Sequence, residues 1–167
     1  MAMLCTTAEM ERVVETYGTA MLRLSCMYLT DMSLAEDAVQ DAFLKIYQAW
    51  RRFDSPEAER AFIMRVTVNV CKDYLRSAWK RRVNLVEKYP ELPAPGSPIQ
   101  EQGRLYQEIL KLKPRYREVI LLHYYQQLRV NEIAEILNAP QSTVSIRLRR
   151  AKDELKKRLE GGPYEDL

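Results

Sequence analysis

The chain has 167 residues, 47% of them hydrophobic and 29% charged, with a formal net charge of +3. That is enough for one medium domain or two small ones, and five glycines are too few for a turn-dense β fold. No run approaches the ~18 apolar residues of a membrane span, and no basic stretch followed by an apolar core opens the chain as a leader would. Cys5, Cys26 and Cys71 are odd in number and far apart, which fits reduced thiols in a cytoplasmic protein and neither zinc nor a disulfide framework. The charge is unevenly spread: −4 over residues 1–60, +5 over 61–84, −2 over 85–102, +6 over 103–160, and an acidic tail at 161–167. Two basic blocks flanking an acidic linker point to two separate nucleic-acid contacts.

The first element is a helix from Thr7 to Leu29, with Met10, Val13, Val14, Tyr17, Met21, Leu24 and Tyr28 at three- and four-residue steps. Gly18 sits inside it at a modest cost. A second helix is expected to open on Ser33 and Glu36 as a capping box. Ala35, Ala38, Val39, Ala42, Phe43, Ile46 and Trp50 form its buried face, which leaves Glu36, Asp37, Gln40, Asp41 and Leu44 towards solvent. Spacing alone favours a plain solvated face there, since acids suit a helix N-terminus.

After a polar loop, Arg51 to Arg60, Ser55 and Pro56 can cap and start a third helix running to about Arg82. Ile63, Val66, Thr67, Val70 and Tyr74 share its expected core side. Arg65, Asn69, Lys72, Arg76 and Lys80 stack on the other, a rail of cations with one amide among them. Cations there would hold phosphates without regard to sequence, and the amide could bond a base. Phe53, Phe62 and Trp79 lie beside the rail or near its ends, where single-stranded nucleic acid stacks on aromatics. Core packing is an equally good reading of Phe62.

Residues 83–103 hold Pro90, Pro93, Pro95, Gly96 and Pro98, which excludes a helix and implies a semi-extended spacer. A short helix follows from Arg104 to Lys111, with Leu105, Ile109 and Leu112 on one side, and Pro114 starts another. Val119, Ile120, Leu122, Tyr125 and Leu128 supply core. From Leu128 to Leu159 the pattern is a helix-turn-helix. Val130, Ile133, Ala134 and Leu137 face inward, Asn138-Ala139-Pro140-Gln141 breaks the helix, and Ser142 is the expected cap of the next one. Val144, Leu148, Ala151, Leu155 and Leu159 form its apolar stripe. Ser142, Ile146, Arg149, Arg150 and Lys157 lie opposite, with Ser145, Arg147 and Lys152 on the flanks. Seven Lys or Arg between Ser142 and Arg158, against Asp153 and Glu154, suit a polyphosphate. In such a motif the N-terminal turns of the second helix enter the major groove.

No phosphate-binding loop, zinc-protease or nucleophile-elbow motif occurs, and the single histidine, His123, has no catalytic partner at an informative spacing. The expectation is a non-enzymatic, all-α protein without metal or cofactor. It has two small helical domains, 1–84 and 103–160, joined by a proline-rich linker at 85–102.

In AEDAVQDAFLKIYQAW (35–50), AFIMRVTVNVCKDYLR (61–76) and the stretch 112–155, the chain resembles bacterial RNA polymerase sigma factors of the extracytoplasmic-function (ECF) class, over about residues 7 to 159. The resemblance implies that Asp37, Gln40, Asp41 and Leu44 dock on the clamp coiled coil of the polymerase largest subunit, which reverses the solvated-face reading. It implies that loop 51–61 and the helix after it, with Phe53, Asp54, Arg60, Phe62, Arg65, Asn69, Lys72 and Arg76, melt the −10 promoter element and bind its single strand. Asn69 occupies the position that contacts an extruded base. It further implies that Ser142, Thr143, Ser145, Ile146, Arg147, Arg149, Arg150 and His123 meet the −35 element as duplex. The linker would run through the polymerase towards its active-site channel, and an anti-sigma factor would hold the free protein.

Some positions depart from the family pattern: Phe62 stands where Trp is usual, Asn138 where glycine is common, Ser142 where another small residue is usual, Arg129 where Ser or Thr caps, and His123 where Arg is frequent. Two other classes compete on the residues alone. One is a stand-alone helix-turn-helix regulator, which would bind duplex without polymerase. The other is an RNA-binding module built on the aromatics and the rail.

Overall fold

The computed structural model describes residues 4–81 and 103–160. The expectations for the proline-rich linker and the acidic tail lie outside the described residues. Among the described residues the regular structure is helical throughout, and these residues form two compact units, 4–81 and 103–160.

In the first unit α1 spans Thr7–Leu29, α2 Met32–Gln48 and α3 Pro56–Arg81, and each helix packs against the other two. Thr6 and Glu9 make a capping box at the start of α1: the Thr6 hydroxyl accepts from Glu9 N–H at 3.1 Å, and the Glu9 carboxylate accepts from Thr6 N–H at 2.8 Å. The helix ends at Thr30, whose left-handed backbone (φ 56°) turns the chain into α2.

The expected Ser33–Glu36 cap is not the one used. Asp31 caps α2, its carboxylate accepting from Leu34 N–H at 3.1 Å, and its carbonyl already takes the first helical bond from Ala35. Ser33 therefore lies inside the first turn, where its side chain has no open amide to satisfy. Trp50 is buried as expected but from beyond the end of α2. Ser55 does cap α3, accepting from Ala58 N–H at 3.1 Å, with Pro56 in the first turn.

Val13, Met21 and Leu24 of α1, Ala35, Ala42 and Ile46 of α2, and Ile63, Met64 and Val68 of α3 are fully buried. The α3 stripe is wider than its period suggested: Met64, Val68 and Cys71 join it, whereas Val66 and Tyr74 are only half-buried. A helix clasped by two neighbours buries more than one face. In α1, Val14 is 44% exposed and does not join the buried face the spacing predicts.

The three cysteines are free and buried. Burial pushes the thiols of Cys26 and Cys71 up to about 11, so both stay protonated and unreactive. A polar clasp ties α1 to α3. Arg12 donates two hydrogen bonds to Glu59, at 2.8 and 2.9 Å, and the Tyr17 hydroxyl donates a third at 2.8 Å. These donors hold the Glu59 carboxyl below its usual pKa, Arg12 contributing most.

In the second unit α4 spans Gly103–Leu110, α5 Pro114–Ile120, a π-helical turn Leu121–Tyr125, α6 Val130–Leu137 and α7 Gln141–Glu160. α7 is the hub, packing on α4, α5 and α6. Its stripe of Val144, Leu148, Ala151, Leu155 and Leu159 is buried as read from the sequence. Four details differ. In α4, Tyr106 is buried and Leu105 is 37% exposed, because the Tyr106 ring packs edge-on against Tyr125. The helix begun at Pro114 widens into the π turn, which brings both Leu121 and Leu122 into the core. Ile136 joins Ile133 and Ala134 inside α6, while Val130 and Leu137 are half-buried. Ser142 is not the cap of α7: the helix starts at Gln141 and Val144 N–H bonds the Pro140 carbonyl at 3.2 Å, so Ser142 sits in the first turn. Asn138 adopts the expected left-handed turn (φ 52°), and Arg129 gives α6 no side-chain cap.

A Cβ on Gly18 would meet only Phe43, at an ordinary 3.8 Å. Gly18→Ala is therefore expected to raise stability by about 0.5–1 kcal/mol in chemical denaturation, through lost unfolded-state freedom; a lower midpoint would contradict the packing described. Glu59→Gln is expected to cost about 1 kcal/mol at neutral pH. Because the folded-state pKa of Glu59 is depressed, its contribution is complete above the ordinary carboxylate range and is lost as pH falls through the lowered value. The gap between parent and variant should accordingly close in acid, and a gap independent of pH would rule the clasp out as its source.

Candidate nucleic-acid and partner interfaces

The loop before α3 is built on an aromatic cluster. Buried Trp50 meets Phe53 edge-on at 5.4 Å, and Phe53 meets Phe62 of α3 at 5.1 Å. The Arg51 guanidinium lies over both phenylalanine rings, at 5.5 and 5.1 Å. Phe53 and Phe62 are half-buried, so their rings are partly open beside the exposed Asp54 and half-buried Arg60. Sequence reasoning placed the phenylalanines but missed Arg51; its neighbours Trp50 and Phe53 were the available signal.

Phe62, Arg65, Asn69, Lys72 and Arg76 recur along one stripe of α3 at alternating three- and four-residue steps. Asn69 and Arg76 are exposed, Arg65 and Lys72 half-buried. The rail is not purely cationic: Asp73 accepts a hydrogen bond from Arg76 and lies 3.7 Å from Lys45 of α2. Trp79 and Lys80 fall in the last turns of α3, with side chains outside the described residues.

On α2, Asp37, Gln40, Asp41 and Leu44 are all exposed. Leu44 is 60% and Tyr47 48% exposed, an apolar edge beside the two acids. Tyr47, three residues after Leu44, was legible from that spacing and was missed. Asp41 accepts a hydrogen bond from the Tyr74 hydroxyl of α3.

In the second unit, burial of the α7 stripe turns Ser142, Ser145, Ile146, Arg149 and Arg150 outward, with Thr143 and Arg147 half-buried beside them. The cations of α7 are of two kinds. Arg158 bonds Glu154 at 3.2 Å and lies 3.7 Å from Glu108, and Lys156 is 4.0 Å from Glu160. Among the described residues no salt bridge engages Arg147, Arg149 or Arg150. The N-terminal half of α7 thus keeps its charge available. Tyr116 of α5 stands close by; hydrogen bonding from Arg115, then Arg150, holds its phenol below the usual pKa. His123 is half-buried, its Nδ1 2.9 Å from the Leu128 carbonyl and its ring edge-on to Tyr124 at 4.8 Å. The ring is thereby fixed by the turn before α6. A groove of about 560 Å³, lined by Leu105, Ile109, Ile120, Tyr124 and Leu155 and edged by Lys152, opens on the unit's side and was not read from the sequence.

Among the described residues no three metal-binding side chains cluster, and no helix is long and apolar enough to cross a membrane. What the geometry offers is charge, hydrogen-bond donors and open ring faces, the means of holding nucleic acid.

Residues 13–81 match the family model of sigma-70 region 2, and residues 102–155 that of sigma-70 region 4. The chain is 29% identical to the ECF RNA polymerase sigma factor SigW of Bacillus subtilis over 162 residues, covering 88% of this chain and 87% of that one. It is 30% identical to the RNA polymerase sigma-E factor of Streptomyces avermitilis over 154 residues, with 91% and 86% covered. Its fold resembles the sigma factor RpoE in the co-crystal with the anti-sigma factor NepR from Bartonella quintana, with a TM-score of 0.75, 18% identity, and 94% of this chain and 100% of that chain covered. It also resembles CnrH in complex with the cytosolic domain of CnrY, with a TM-score of 0.69, 23% identity, and 95% and 92% covered. The two region matches fall in order along the chain, and the curated relatives share it nearly end to end. The chain belongs to the RNA polymerase sigma factors of the ECF class.

Proposed function

We propose that the two units divide promoter recognition between them: the first binds core polymerase and the melted −10 strand, and the second reads the −35 duplex. The observation that carries this is the cationic face at the start of α7, engaged in no salt bridge among the described residues and held outward by a buried stripe, together with a second basic rail on α3 in a separate unit. Arg149 and Arg150 are the side chains for base edges or phosphates in the major groove, with Ser142, Thr143, Ser145, Ile146 and Arg147 around them. His123, fixed by Leu128, adds a phosphate contact at the flank.

On the first unit, Arg65, Lys72 and Arg76 would track the single-stranded backbone while Asn69 bonds an extruded base. Phe53 and Phe62 offer stacking faces, with Asp54 and Arg60 shaping the loop around them. Asp37, Gln40, Asp41 and Leu44 form the face for the clamp coiled coil of the polymerase largest subunit, acids and an apolar edge together. The segment between the units, about 85–102, would pass through the polymerase towards its active-site channel. The sigma factor RpoE of Bartonella quintana is captured with the anti-sigma factor NepR, and on that likeness an anti-sigma factor would hold the free protein in the cytoplasm. A free-standing duplex-binding regulator leaves the region 2 match over residues 13–81 unexplained.

Arg149→Ala or Arg150→Ala is expected to weaken −35-dependent initiation by about 1–3 kcal/mol where the contact is to a base. Run-off transcription from a cognate promoter reads this, and unchanged transcripts from both variants would remove the groove assignment. Asn69→Ala is expected to leave closed-complex formation intact while reducing strand opening. Permanganate reactivity of −10 thymines measures it, and undiminished reactivity counts against the base-capture role.

A further inference from the structure

Asp41 is exposed on α2, yet it has a partner on another helix: the Tyr74 hydroxyl of α3 donates to its Oδ2. Burial and the neighbouring Asp41 carboxylate push the Tyr74 phenol up to about 12, so it stays protonated and remains a donor. One residue before Tyr74, Asp73 faces Lys45, which lies one helical turn beyond Asp41 on α2. The same Asp73 accepts from Arg76 of the cationic rail. A short polar seam, Asp41–Tyr74 and Lys45–Asp73–Arg76, thus joins the edge of the α2 acidic face to α3.

An exposed aspartate otherwise samples several rotamers, and fixing one before binding removes that ordering cost from the encounter. Only one carboxylate oxygen is used by Tyr74, which leaves Asp41 with acceptor capacity for a cation on a partner. We infer that Tyr74 is a positioning residue for the polymerase-docking face: its hydroxyl pre-sets the Asp41 carboxylate in the orientation that core polymerase engages. This rests on the proposed reading of Asp37, Gln40 and Asp41 as that face.

The test uses the full chain and core polymerase, with affinity measured by fluorescence anisotropy and folding by thermal melts. Tyr74→Phe keeps the ring and removes only the donor. It is expected to weaken polymerase binding about fivefold, the cost of ordering one side chain at the encounter, with only a small drop in melting temperature for the lost bond between α2 and α3. In an Asp41→Ala background the same change is expected to have no further effect. If Asp41→Ala weakens binding and Tyr74→Phe does not, or if Tyr74→Phe costs as much with Asp41 absent as with it present, the positioning role is wrong and the docking face stands. If Asp37→Ala, Gln40→Ala and Asp41→Ala all bind as tightly as the parent, the docking face falls, and Tyr74's role with it.

Discussion

A helix that buries one stripe has no choice about what the opposite stripe shows, and this constraint organises both units. In α7 the fully buried Val144 and Ala151, with Leu148, Leu155 and Leu159 almost as deep, leave no rotation in which Arg149 and Arg150 could turn inward. Moving the helix by one residue would carry a leucine into water and a guanidinium into the core, each costing kcal/mol. The cationic surface proposed for recognition is thus held by apolar packing on its far side. α3 obeys the same rule, with Ile63, Met64, Thr67 and Cys71 inside and Asn69 and Arg76 outside.

Most of this was legible in the sequence because periodicity reports burial directly. The ends of α1, the cap at Ser55, the left-handed Asn138 and every member of the α7 stripe agree with the structure. What was misread has common causes. Ser33 and Ser142 are both good caps in composition, but each has a neighbour that ends the preceding turn first: Asp31 through its carboxylate, and Pro140 through its carbonyl. Leu105 and Tyr106 are adjacent apolar residues at the edge of a short helix. Which of them turns inward is decided by Tyr125, which the local pattern does not contain. The π turn and the groove beside α4 are products of tertiary packing and have no sequence period. Of the interfaces, the exposure of the α2 and α7 faces was readable. The Arg158–Glu108 contact, the stacking of Arg51 over Phe62 and the Tyr74–Asp41 bond were not, because each depends on where a second residue is carried by the fold. The Lys156–Glu160 and Arg158–Glu154 pairs lie one helical turn apart and were readable from spacing but missed.

The energetics suit a protein that acts only as part of a larger enzyme. The basic rail and the α7 face each carry a handful of cations, and exposed charges of this kind bind nucleic acid weakly and lose strength with salt. Unstacking a base costs a few kcal/mol more. Neither face has a large apolar area to offset that cost. Linking the two through a common scaffold converts the second contact into an intramolecular one, which raises the net affinity without any new interaction. On this account core polymerase supplies the spacing, and the sigma chain supplies the chemistry at each end.

The most direct measurement of this account is run-off transcription on genomic templates by core polymerase with and without the purified chain, followed by mapping of the 5′ ends. The account predicts a set of starts that appears only with the chain and shares two sequence elements at constant separation. Identical starts in both reactions, or failure of the chain to associate with core polymerase, would contradict it.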